Sequence, residues 1–299
     1  MAMNTVALEF VPPDVDDGHQ RAAEEAQKIL ELSSECGIAG RIGHLMIPGM
    51  IAEDPDRPVE MKPKMDPLEV WRAAGPVLGG VRGLCTQVTA FLDRDSLTER
   101  LNTLRQAGIE GIIFVGVPRT MADGEGGGVP PTDALAEFQQ VVPHRGVILI
   151  PTREGELGRF GFKCERGASF ALTQLLYSDA IIDFLKQFAA QSDHRPEVLL
   201  SLGYVPQVEQ KIGLIRWLIQ DPGNPVVEKE QAFIASLTQM PTEQRQQQLL
   251  DLYKRIIDGV ADLGFPLSLH FETPYGFVRP AFQTLARMLE YWSPDRPHT

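Results

Sequence analysis

The stretch "LCTQVTAFLDRDSLTERLNTLRQAGIEGIIFVGV", Leu84 to Val117, decides the fold. It opens with an apolar and β-branched run that ends at Phe91, and it closes with a second such run, Gly111 to Val117. Between them Leu97, Leu101 and Leu104 recur at helical spacing, and Ser96 with Glu99 reads as a capping box for a helix over Ser96 to Ala107. A strand, a crossover helix and a second strand make a parallel pair, because an antiparallel pair needs only a short turn. Neither run alternates cleanly between polar and apolar residues, as expected where a core covers one face of the sheet and helices the other.

The same unit recurs in both directions. Further β-rich runs lie at Thr5 to Val11, Arg41 to Ile47, Gly146 to Ile150, Ser169 to Gln174, Val198 to Tyr204 and Pro266 to Phe271. Helix-period segments such as Asp17 to Cys36 and Ser178 to Gln191 separate them. Eight strands alternating with helices predict an α/β fold, a single (β/α)8 TIM barrel over residues 1–299, with a doubly wound open sheet as the alternative. Ile51 to Pro67 reads as a long loop after the second strand. Asp221 to Ala261 holds two helical stretches divided at Met240-Pro241, which predicts an extra helix before the last strand.

Composition narrows the function. With 28 basic and 40 acidic residues the formal charge is −12, which disfavours nucleic acid or an anionic membrane as partner. No apolar run approaches the roughly eighteen residues of a membrane span, and the N-terminus carries no signal-peptide pattern, so a soluble cytoplasmic protein is expected. Cys36, Cys85 and Cys164 are odd in number and widely spaced, which fits reduced thiols, and no metal-ligand set is expected.

Catalytic groups of such a barrel come from the C-terminal ends of its strands. "VALEFVPP", Val6 to Pro13, places a lone acid, Glu9, near such an end. Gln87, Thr89, Gln174, Tyr204, His270 and Glu272 hold comparable positions. Any one of them is as readily a polar group satisfied by a neighbouring loop; as a set they need partners. A strand-end acid in an apolar mouth retains its proton toward neutral pH, which suits a general acid.

At this point the residues resemble a known family. "ALEFVPP" is similar to the "FEFFPP" opening of methylenetetrahydrofolate reductases, and "ASFALTQLLYS", Ala168 to Ser178, is similar to their "ADFIITQLFFD" strand. "DRDSLTERLNTLRQAGIEGIIFV", "KCERGA" and "ADLGFPLSLHFET" follow in the family's order, so the resemblance spans nearly the whole chain. It implies a (β/α)8 barrel that reduces 5,10-methylenetetrahydrofolate to 5-methyltetrahydrofolate, a step in one-carbon metabolism and methionine biosynthesis. Carried over by position, Glu9 is the acid that protonates N10, and Gln174 binds the pterin; Thr89 and Tyr177 are further candidates for folate contact.

The departures are as informative. The family's "LRGD" turn after the fourth strand, whose Asp helps to bind the pterin, is replaced by "VGVP", Val115 to Pro118, with Asp123 or Glu125 as candidate substitutes. The flavin motifs "HLTC" and "VTYG" become "QVTA", Gln87 to Ala90, and "MIPG", Met46 to Gly49. After the fifth strand the family's long flavin-holding segment is replaced by "PTREGELGRFGFK". The resemblance is therefore to a divergent, flavin-free branch. FAD is expected to be absent and NADH to serve as co-substrate by direct hydride transfer.

Candidate NADH contacts are Gln87, Arg119, Arg153, Lys163 and His270, with Arg159 a further candidate for phosphate or for the folate glutamate. "GEGGG", Gly124 to Gly128, does not follow a strand and open a helix as a dinucleotide fingerprint requires, and reads as a loop. The expected partners are methylenetetrahydrofolate and NADH, in a monomer or small homo-oligomer. The competing readings are a non-catalytic folate-binding barrel and a methyltransferase partner acting on methyltetrahydrofolate.

Overall fold

The computed structural model describes residues 6–50, 62–116, 127–207 and 212–292. Eight parallel strands close on themselves in chain order: β1 Val6–Glu9, β2 Ile42–Ile47, β3 Arg82–Val88, β4 Ile109–Val115, β5 His144–Leu149, β6 Phe170–Thr173, β7 Glu197–Gly203 and β8 Leu267–Glu272. Closure comes from β8 pairing with β1, with Ala7 opposite His270 and Leu8 opposite Phe271. The expected (β/α)8 TIM barrel is the fold.

The helices between the strands are α1 Gly18–Glu35, α2 Pro67–Leu78, α3 Arg94–Gln106, α4 Pro131–Glu137, α5 Glu156–Glu165 and α6 Ala180–Gln191. Three more, α7 Gly213–Leu218, α8 Pro225–Thr238 and α9 Thr242–Val260, lie between β7 and β8, and α10 Arg279–Tyr291 follows β8. The two helical stretches predicted within Asp221 to Ala261 are α8 and α9, divided at Met240-Pro241, and the short α7 precedes them; Asn224 starts α8 by accepting the Val226 N–H at 3.1 Å.

Two boundaries move for the same reason. The cap of α3 is Asp93, whose carboxylate accepts the Ser96 N–H at 2.8 Å, rather than Ser96 itself. Pro67 is the first residue of α2 and not part of a loop, since Asp66 accepts the Leu68 N–H at 2.9 Å and a proline at N1 forfeits no hydrogen bond.

The barrel interior is packed, with Met46, Leu84, Ile113, Phe170, Leu172 and Leu199 forming its apolar cluster. Phe170 fits there because β5 offers glycine opposite it. A Cβ on Gly146 would stand 2.3 Å from the Phe170 ring. A larger apolar cluster between the strands and the helices wraps this inner one. Among the described residues no helix is long and apolar enough to cross a membrane.

Candidate active site

The rim at the C-terminal ends of the strands carries the polar groups. The β1 ladder ends where Phe10 donates its N–H to the Met46 carbonyl at 2.8 Å, and Pro12 and Pro13 have no N–H with which to continue it. Glu9 is thereby left at the mouth of the barrel. Strand pairing across the closure brings the end of β8 beside it. Ligand-capable atoms of Glu9, His270 and Glu272 lie within 4.8 Å of one another, the one such His/Cys/Asp/Glu cluster among the described residues.

His270 is fully buried. Its Nδ1 is 2.9 Å from the Ser201 hydroxyl on β7 and 3.4 Å from a Glu272 carboxyl oxygen, while its Nε2 has no hydrogen-bond partner among the described residues.

Burial dominates the electrostatics. It raises Glu9 to about 8, helped by the charge of Glu272 and offset by His270. Burial raises Glu272 to about 8 as well, against a hydrogen bond from Ser201. The same desolvation lowers His270 to about 4, so its imidazole is neutral near physiological pH. The arrangement is suited to holding and delivering protons.

A cavity of about 200 Å³ opens on this cluster, and Glu9 and Glu272 face Gln174 and Leu175 at the end of β6, Met46 of β2 and Trp217 of α7. The Gln174 side-chain amide N–H donates to the Leu218 carbonyl at the end of α7, which fixes the amide at the lip. Across the mouth, Thr86 of β3 accepts the Gly49 N–H at 2.6 Å. A Cβ at position 49 would lie 2.8 Å from the Thr86 carbonyl oxygen, so the turn after β2 requires glycine there.

The other sequence candidates are more dispersed. Tyr177 is buried, with its hydroxyl directed at the backbone of Gly203 and without a partner among the described residues. Burial pushes that phenol well above its ordinary range. Thr89 is fully buried beyond the end of β3, and its N–H donates to the Val115 carbonyl at 3.1 Å.

Gln87 is on the helix side of β3, accepting from Arg100 of α3 at 2.9 Å and donating to the Val88 carbonyl. Lys163 of α5 donates to the Ile148 carbonyl at 2.8 Å and to the buried carboxylate of Glu156 at 3.0 Å. Arg153 lies 3.8 Å from the same carboxylate, and Arg159 donates to the Glu154 carbonyl. Arg119, Asp123 and Glu125 lie outside the described residues.

Sequence reading passed over Thr86, Ser201, Trp217 and Leu218. For the first two the period-two alternation held the signal: Leu84 and Leu199 face the interior, so Thr86 and Ser201 do too, whereas Gln87 does not. Nothing local in the sequence marks Trp217 or Leu218, which reach the mouth only through the fold of α7.

A family model described as mycobacterial methylenetetrahydrofolate reductase matches residues 2–296. The chain belongs to that family. The match covers β1 to β8 of this methylenetetrahydrofolate reductase relative, so the whole rim falls inside the family region. No curated protein matches the sequence.

Among solved structures, an uncharacterized protein from Clostridium thermocellum that binds two copies of 5-methyl-5,6,7,8-tetrahydrofolic acid is similar at a TM-score of 0.69 and 14% identity, covering 97% of each chain. EDTA monooxygenase from Chelativorans sp. BNC1 is similar at a TM-score of 0.54 and 14% identity, covering 96% of this chain and 94% of its own. At such identities both likenesses speak for the barrel fold.

Proposed function

We propose that the protein reduces 5,10-methylenetetrahydrofolate to 5-methyltetrahydrofolate, with NADH giving hydride directly to the folate and no FAD between them. The observation that carries this reading is a proton-retaining Glu9 that lines the same apolar pocket as Gln174. Family membership makes the folate the natural ligand.

In this reading the pterin ring enters the pocket and pairs its polar edge with Gln174, which can both donate and accept. Glu9 gives its proton to N10, the C–N10 bond of the imidazolidine ring breaks, and the methylene carbon becomes a 5-iminium electrophile. Hydride from the nicotinamide C4 then completes the methyl group. Direct transfer needs the two carbons about 3.5 Å apart with little water between them, and the apolar walls Met46, Leu172 and Trp217 supply that environment.

Two features support a flavin-free route. "QVTA" turns its Gln87 outward toward Arg100, away from the mouth. The segment after β5 passes almost directly into α5, where Lys163 is engaged by Glu156 and Ile148. A single chain over 1–299 performing the whole reaction, in the cytoplasm, completes the reading.

The test is purified protein, with bound flavin assayed by visible absorbance, mixed with NADH and methylenetetrahydrofolate without added flavin while NADH absorbance is followed. Colourless protein that consumes NADH only with folate present bears the reading out. A yellow protein overturns the flavin-free step, and colourless, inactive protein that still binds methyltetrahydrofolate puts the non-catalytic folate-binding barrel first.

A further inference from the structure

The acid reading leaves a gap, because the Asp that resembling reductases carry after their fourth strand is missing from "VGVP". We propose that Glu272 takes over that role as a positioning residue, holding the proton of Glu9 before donation and sharing its own with the Glu9 carboxylate afterward. The inference rests on the reading of Glu9 as the proton donor.

Three observations carry it. First, barrel closure sets the ends of β1 and β8 side by side, and the carboxyls of Glu9 and Glu272 join His270 in one cluster within 4.8 Å. Second, both carboxyls line the same cavity, so both face the space the substrate would fill. Third, among the described residues the groups around them supply no fixed positive charge. His270 on β8 is desolvated and neutral. Tyr177 after β6, Tyr253 on α9 and Tyr275 after β8 are phenols that burial keeps protonated. Ser201 on β7, Met46 on β2 and Thr86 on β3 do not titrate in the working range. Two carboxylates in such a site repel, so the pair keeps protons that an isolated surface glutamate would lose.

The proton balance follows. Glu9 gives one proton to N10 as the C–N10 bond breaks. The resulting carboxylate accepts a hydrogen bond from the still protonated Glu272, so the pair carries one negative charge and not two. Hydride addition discharges the iminium, and the pair takes one proton back from water before the next turnover. That matches the single proton the reduction consumes.

The test is Glu272→Gln, which keeps the shape and a hydrogen-bond donor while removing the second acid, with Glu272→Asp as the conservative rescue. Two readouts are used. In unliganded protein carrying carbon-13-labelled glutamate, the Glu9 carboxyl is titrated by NMR. In the turnover assay, the alkaline limb of the kcat profile is measured. The expected result is that Glu272→Gln moves both the Glu9 titration and the alkaline limb toward acid by roughly one pH unit, with the folate KM little changed, and that Glu272→Asp restores much of the shift. A Glu9 titration that stays where it is in the wild type overturns the proposal, as does an unmoved kcat limb. If the wild type consumes no folate at all, the donor reading fails on that assay, while the NMR titration still decides whether the two carboxyls share protons.

Discussion

A Cβ placed on Gly203, the last residue of β7, would stand 2.6 Å from the Tyr177 hydroxyl and 2.5 Å from a methyl carbon of Leu175. Tyr253 donates to the carbonyl of the same glycine. The end of β7 is thus clamped between two buried tyrosines directly behind the pocket wall that Leu175 forms.

Gly203→Ala is therefore an overpacking change at the site's support. It is expected to cost about 1–3 kcal/mol of stability, read as a lower denaturant midpoint, and to weaken folate binding by displacing Leu175. An unchanged midpoint would show that Tyr177 has room to move.

Glu9→Gln keeps the side-chain shape and removes the proton. Turnover is expected to fall by about 10²-fold or more in the NADH assay, with the circular dichroism spectrum unchanged. Near-normal turnover would remove Glu9 from the mechanism.

The raised carboxyls also predict how stability follows pH. Glu9 in the folded protein holds its proton to about 8, against an ordinary 4.5 once unfolded. Between those values the folded state binds more protons, so stability is greatest below about 4.5 and declines as pH rises toward about 8, by about 1.4 kcal/mol for each pH unit per carboxyl. Above that range both states are ionised and this contribution to the slope vanishes. Chemical denaturation of wild type and Glu9→Gln across the window checks it: the variant's decline is shallower, and parallel curves would show Glu9 already ionised in the fold.

Gln174→Ala removes the amide at the lip together with its bond to Leu218. Folate affinity, measured by calorimetry, is expected to drop by about tenfold, the effect of one or two lost hydrogen bonds in a closed pocket. Unchanged affinity would place the pterin elsewhere on the rim.

Lys163→Met leaves the Glu156 carboxylate, only 1% exposed, without its nearest cation. A loss of about 3 kcal/mol is expected, read as a lower denaturation midpoint. Intact stability with a raised KM for NADH would instead mark Lys163 as a dinucleotide contact.

Much of this protein was legible without coordinates. The alternation of apolar runs with Leu97-Leu101-Leu104-type helical spacing determined eight parallel strands, because side-chain periodicity and crossover length are local properties of the chain. Glu9 stood out for the same local reason, as a lone carboxylate on a strand stopped by two prolines. What the sequence could not reveal was direction and proximity. Gln87 and Thr86 are adjacent, and only the pleat, read in the closed barrel, sends Thr86 to the pocket and Gln87 to Arg100. Glu272 and Glu9 sit near opposite ends of the chain. Only closure of β8 onto β1 sets them together, and the burial there, joined for Glu9 by the charge of Glu272, makes the two acids hold their protons.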